Sequence, residues 1–141
     1  MSNEDLYKMI NDLFAPYPEV LALLELHNKY VHAVDAEVDK DNDAVGPLET
    51  AALALAYYTH PVYVKHADQL RLLSYLHHNT YADSVAWETS IIDWQIKAAA
   101  TLRHQSLDMF YAMVLIYLGP DKLKSISLPM RKYTFLKHLN D

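Results

Sequence analysis

Eight histidines and eighteen acidic residues in a chain of 141 are the raw material for metal or acid–base chemistry. The complete lack of cysteine removes thiolate ligands, thiol nucleophiles and disulfides. Two ligands on one helix must stand three or four residues apart to share a face. No two histidines have that spacing, no acid has a histidine at the third place after it, and His-Glu-x-x-His does not occur. His77 and His78 are adjacent and point about 100° apart on a helix. His32 with Asp35 and His104 with Asp108 are same-face acid–base pairs, which read as surface hydrogen bonds. His27 falls on an apolar helix face and reads as a satisfied core or boundary residue. The serines stand in no nucleophile-elbow pattern.

The run Asp39-Lys40-Asp41-Asn42-Asp43 places carboxylates at alternate positions, as the start of an EF-hand calcium loop does. The remainder departs from that motif. Ala44 stands where the turn glycine belongs, Pro47 falls at the ninth position, and Thr50 replaces the bidentate Glu, with Glu49 one place early. The segment reads as an acidic solvated loop. With Asp35 and Glu37 it is self-repulsive if helical, so the preceding helix is expected to fray there.

Only Gly46 and Gly119 are glycines, too few for a phosphate-cradling loop, which excludes P-loop and dinucleotide-binding readings. Residues 1–50 carry a net charge of −8, residues 51–120 of −1 and residues 121–141 of +3. An acidic chain repels phosphates, so direct nucleic-acid binding is disfavoured. The basic residues Lys122, Lys124, Arg131, Lys132 and Lys137 could form a phosphate patch, but read more readily as a solvated face or as the complement of the acidic half. Eleven tyrosines are many for this length. Tyr57, Tyr58 and Tyr63 surround the His60-Pro61 break, and amphipathic rings suit both interfaces and core boundaries.

The elements that must position these residues are all helical. Leu6, Met9, Ile10, Leu13 and Phe14 mark a helix over about 3–14, with Ser2 and Asp5 spaced as a capping box and Pro16 and Pro18 ending it. A second helix starts near Pro18 and carries Val20, Leu23, Leu24, His27, Val31 and Val34 on one face. A third runs from Pro47 to about Thr59. Its centre is apolar on every side, which predicts a helix surrounded by others. A fourth covers about 62–78, with Ala67, Leu70, Leu73 and Leu76 inward. Thr80 and Asp83 resemble another cap, and from Ala82 to Leu118 no proline or glycine intervenes. An unbroken helix there would span roughly 55 Å, so a break is expected at Arg103–Ser106. The apolar run Leu107–Leu118 is too short to span a membrane and reads as a buried core helix. Gly119-Pro120 is a stop, and a last helix is expected from Pro129 with Met130, Tyr133, Leu136 and Leu139 on its apolar face.

The expected fold is all-α: a compact bundle of six or seven helices without a sheet, forming one domain over 1–141. The acidic N-terminus lacks the features of a signal peptide, and a cysteine-free chain suits a reducing cytoplasm. The expected function is that of a small acidic protein-binding module: an inhibitor, immunity protein or phage-type antagonist that occludes a basic surface of another protein. Asp35, Glu37, Asp39, Asp41, Asp43, Tyr57, Tyr58 and Tyr63 are the expected contact residues. No catalytic residue, metal or cofactor is assigned, the residues leave enzyme activity undecided while leaning against it, and no membrane association is expected. A homodimer follows if the acidic half and basic end pair between chains, a monomer if they pair within one. The alternative is a helical-bundle metal-binding enzyme or sensor with a site assembled across helices. It would use carboxylates with His27, His32, His66, His77, His78 and His104.

Overall fold

A computed structural model describes the backbone of residues 2–140 and the side chains of residues 2–134. Leu136, Lys137 and Leu139 of the expected C-terminal pattern lie outside the described side chains. The protein is all-α, with seven helices of eleven residues or more, one five-residue helix and no strand among the described residues. The chain forms two compact units, Met1–Ala67 and Asp68–Asp141.

The first unit holds α1 (Asn3–Leu13), α2 (Pro18–Asp39), α3 (Pro47–Tyr58) and the short α4 (Pro61–Lys65). Ser2 caps α1 through the expected box. Its hydroxyl accepts from the Asp5 amide at 3.1 Å, and the Asp5 carboxylate accepts from the Ser2 amide at 2.9 Å. These bonds hold the exposed Asp5 carboxyl below its ordinary range. Prolines open α2, α3 and α4, where a missing amide proton costs nothing. Helices α2, α3 and α4 pack together over a core of Phe14, Val20, Leu23, Ala33, Tyr57, Val62 and Tyr63.

The acidic end of α2 does not fray at Asp35; it stays helical through Asp39. Two local closures offset the repulsion. Lys40 turns left-handed at φ 53°, the Asp41 amide reaches back to the Ala36 carbonyl at 2.9 Å, and the Lys40 amide reaches that of Glu37 at 3.3 Å. The Glu37 carboxylate then accepts from the Gly46 amide at 2.7 Å, tying α2 to the start of α3. A left-handed position normally goes to glycine, because a Cβ there strains the backbone. Lys40→Gly is therefore expected to stabilise the unit by on the order of 1 kcal/mol and raise its melting temperature, while Lys40→Ala is not. Thermal unfolding of the two variants checks this.

The second unit holds α5 (Ala67–Glu88, whose first residue belongs to the preceding unit), α6 (Asp93–Arg103), a 3-10 turn (His104–Leu107), α7 (Asp108–Leu118) and α8 (Pro120–Asn140). The expected break at Arg103–Ser106 is this 3-10 turn. Three boundaries differ from expectation. The helix expected over 62–78 is divided at His66, and α5 then runs unbroken through Thr80 and Asp83, which are mid-helix and cap nothing. Its break falls instead at Thr89–Ile92, without glycine or proline. The Ser90 hydroxyl accepts from the Ile92 amide at 3.0 Å and donates to the Gln95 side chain at 2.6 Å, giving the backbone an alternative to the helical ladder. The last helix begins at Pro120, not Pro129. Pro129 lies inside α8 and cannot donate to the Ser125 carbonyl, a loss set against burial of Ile126 and Met130 on either side of it.

Helix α7 is the core helix that its composition predicts, with Met109, Phe110, Tyr111, Met113 and Val114 buried. It packs on α8, where the Tyr111 hydroxyl donates to the Ser127 carbonyl at 3.3 Å and the Arg131 guanidinium lies 5.1 Å from the Tyr111 ring centre. Burial is the chief cause that raises the Tyr111 hydroxyl above its usual pKa.

Candidate functional site

Helix α3 differs from the other strongly apolar helix, α7. Its inward face is Thr50, Leu53, Ala54, Tyr57 and Tyr58, all buried or half-buried. The opposite face, Leu48, Ala51, Ala52 and Leu55, is exposed, with Leu48 at 88% and Leu55 at 66% of full exposure. These positions follow i, i+3, i+4 and i+7, so they form one stripe. A helix apolar all round was expected to be enclosed; α2 and α4 cover only one side of it within this unit. The composition shows the apolar surface but not how many neighbours reach it.

The acidic residues stand at the N-terminal end of this stripe. Asp39, Asp41 and Asp43 are exposed in and before the α2–α3 turn, and Asp35 and Glu37 are half-buried on α2. The Asp41 carboxylate accepts from the Asp43 amide at 3.2 Å, and Glu37 is engaged with Gly46 as described. No three His, Asp or Glu side chains among the described residues converge as a metal-binding group.

The tyrosines lie elsewhere. Ten helical steps from Pro47 to Tyr57, roughly 15 Å, separate the start of α3 from its rings. Tyr57 and Tyr63 are buried at 1% and 2% exposure and Tyr58 is half-buried, so the first two are core residues and not an open contact surface. Tyr57 is the centre of a ring cluster. His27, Tyr30, Tyr58 and Tyr63 surround it with centroids 5.0–5.8 Å away, mostly edge-on or tilted. His27 is half-buried, the boundary member of the core-or-boundary reading. His60 has a local role: its Nδ1 accepts from the Val62 amide at 3.2 Å and caps α4. His32 Nδ1 donates to the Asn28 carbonyl at 2.7 Å.

In the second unit a polar stripe emerges along α5. Leu70, Ser74, His77, Tyr81, Ser84 and Glu88 alternate by four and three residues and so share one face. This spacing is present in the sequence but hidden if 67–88 is read as two helices. Arg103 of α6 meets the stripe. Its Nη2 lies 2.6 Å from the Glu88 carboxylate, its Nε donates to the Ser84 hydroxyl at 3.5 Å, and its guanidinium lies 5.2 Å from the Tyr81 ring centre. The fully buried Ser84 donates to the Tyr81 carbonyl at 2.6 Å. That serine is bonded to backbone and to a cation, not to a base, so it has no activated-nucleophile geometry. The charge pair is internally neutralised and fastens α6 to α5.

His77 lies on the same stripe. Burial holds its pKa below the ordinary 6.5, adjacent His78 adds to this, and Asp108 opposes it. The half-exposed His66 shifts in the same direction, chiefly through burial. Below about pH 6.5 the unfolded chain then binds more protons than the folded one, so stability rises with pH in that range and is lost as acid charges His77. The urea midpoint is expected to drop between about pH 7 and pH 5.5, and His77→Asn to flatten that slope. An unchanged slope in the variant would contradict the assignment.

No protein-family model, curated protein or solved structure matches this chain. No helix among the described residues is long and apolar enough to cross a membrane.

Proposed function

We propose that this chain is a protein-binding module whose contact face is the α3 stripe together with the acidic α2–α3 turn. The observation that carries the reading is the exposure of Leu48 and Leu55 on a well-packed helix, directly after Asp39, Asp41 and Asp43. Exposed large apolar groups rimmed by charge mark interaction sites. The acids favour a partner whose surface is basic around an apolar centre, and they steer its approach in a salt-dependent way. Occlusion of such a surface is the action of an inhibitor, immunity protein or phage-type antagonist, and it needs no catalytic group.

Affinity purification of the tagged full chain from its host at low salt, with identification of what is retained, tests this. One stoichiometric protein is expected, weakened at high salt and lost with Leu48→Glu/Leu55→Glu. Recovery of no stoichiometric protein, or equal recovery by the double variant, defeats the reading. Both substitutions lie on exposed positions, so the variant is expected to remain folded.

A further inference from the structure

We propose that the corner between α5 and α6 is an interfacial anchor that lowers Ile91, Ile92 and Trp94 into the surface layer of an electrically neutral lipid bilayer. The proposal lies wholly within the second unit and is independent of the α3 face.

The corner gathers exposed apolar bulk. Ile91 is 99% exposed, Trp94 59%, Ile92 45% and Ile96 43%. Ile91 stands clear on all sides, so a flat protein face would reach only part of it. Lipid flows around such a side chain and needs no matching shape. The two tryptophans of the chain are both here, Trp87 and Trp94 meeting edge-on with centroids 5.2 Å apart. Tryptophan settles at the boundary between headgroups and acyl chains, where its ring is amphipathic enough to stay.

The backbone beside these side chains is prepared to leave water. The Ser90 amide donates to the Trp87 carbonyl at 3.1 Å, and the Ile92 amide to the Ser90 hydroxyl at 3.0 Å. The Ile92 carbonyl accepts from the Gln95 and Ile96 amides at 3.0 and 3.2 Å. A polar group without a partner is costly in lipid, so these bonds lower the cost of insertion. They also fix the corner before it binds, which leaves less freedom to lose on contact.

Charge selects the kind of surface. Lys97 Nζ lies 2.8 Å from the Asp93 carboxylate, and Arg103 pairs with Glu88 at 2.6 Å. These pairs leave no net charge at the corner to complement an acidic or a basic surface. The chain as a whole carries −6, which opposes anionic lipid. A surface anchor needs no spanning helix, because its apolar side chains reach only about 5–10 Å into the boundary. With so few of them the contact is reversible and weaker than that of a single myristoyl chain, whose binding constant is about 10⁴ M⁻¹.

The test adds phosphatidylcholine vesicles to the full chain. Because both tryptophans lie at the corner, their emission reports on it directly. A saturable blue shift is expected, half-complete at roughly 1 mM lipid, with quenching by bromine-labelled acyl chains. Ile91→Asp is expected to weaken binding about tenfold or more while keeping the helical circular dichroism of the parent, since its position is fully open. Leu48→Glu/Leu55→Glu is expected to bind vesicles as the parent does, so the anchor and the α3 contact face are tested separately. Replacing a third of the lipid by phosphatidylserine is expected to bring no gain. The absence of a shift and of co-sedimentation with vesicles overturns the proposal, as does vesicle binding indifferent to Ile91→Asp. Binding that requires phosphatidylserine also overturns it, because basic groups and not the corner would then hold the surface. If Ile91→Asp abolishes capture of a protein partner while vesicles leave the parent unchanged, the corner is a protein contact and the bilayer is not its occupant.

Discussion

Val114→Asp is expected to unfold the second unit. Val114 has no exposed surface and lies on α7, which carries more of that unit's described buried side chains than any of its other helices. A carboxylate there loses its water, because the position has no exposed surface. An unpaired buried charge costs several kcal/mol. A whole domain is held by about 5–15 kcal/mol, so the loss takes a large share of the available stability. The variant is expected in the insoluble fraction or, if soluble, without a cooperative thermal transition. Leu115→Asp, one residue on and exposed, is expected to fold. A cooperative melt of Val114→Asp close to that of the parent would show that α7 is not the core of its unit. Ala54→Asp on α3 is expected to be milder, because Ala54 is only half-buried.

The second large effect belongs to Tyr57. Its ring touches four others and fills the space between α2, α3 and α4. Removing a buried ring loses its transfer energy and leaves a cavity, about 3–5 kcal/mol in total. Tyr57→Ala is therefore expected to lower the urea midpoint of the first unit sharply, and Tyr57→Phe, which keeps the ring, to lower it far less. Equilibrium unfolding of both variants measures this. A contact residue would behave in the opposite way, with stability unchanged and binding reduced. The pair of variants thus separates the core role seen in the structure from the surface role that the abundance of tyrosine implies.

The α1 capping box follows from Ser2 and Asp5 alone, because capping is a contact between residues three apart. The starts of α2 and α3 follow from Pro18 and Pro47, and the end of α7 from Gly119, which adopts φ 91° where only glycine is unstrained. The all-α class and the burial of α7 follow from helical spacing of apolar residues. Each of these is a short-range rule acting within about a turn of helix.

The tertiary structure decided the rest. Pro129 is read locally as a helix start, yet packing of Ile126 and Met130 holds α8 through it. Asp35–Asp39 is read as frayed, yet the Glu37–Gly46 bond, nine residues apart, contributes to keeping it helical. Tyr57 and Leu55 are both apolar-helix residues two places apart, and no local pattern ranks their burial. One is enclosed and the other open because α2 and α4 approach α3 from a single side. The candidate contact face is the surface those helices leave uncovered, a property of how three helices meet and not of the composition of one.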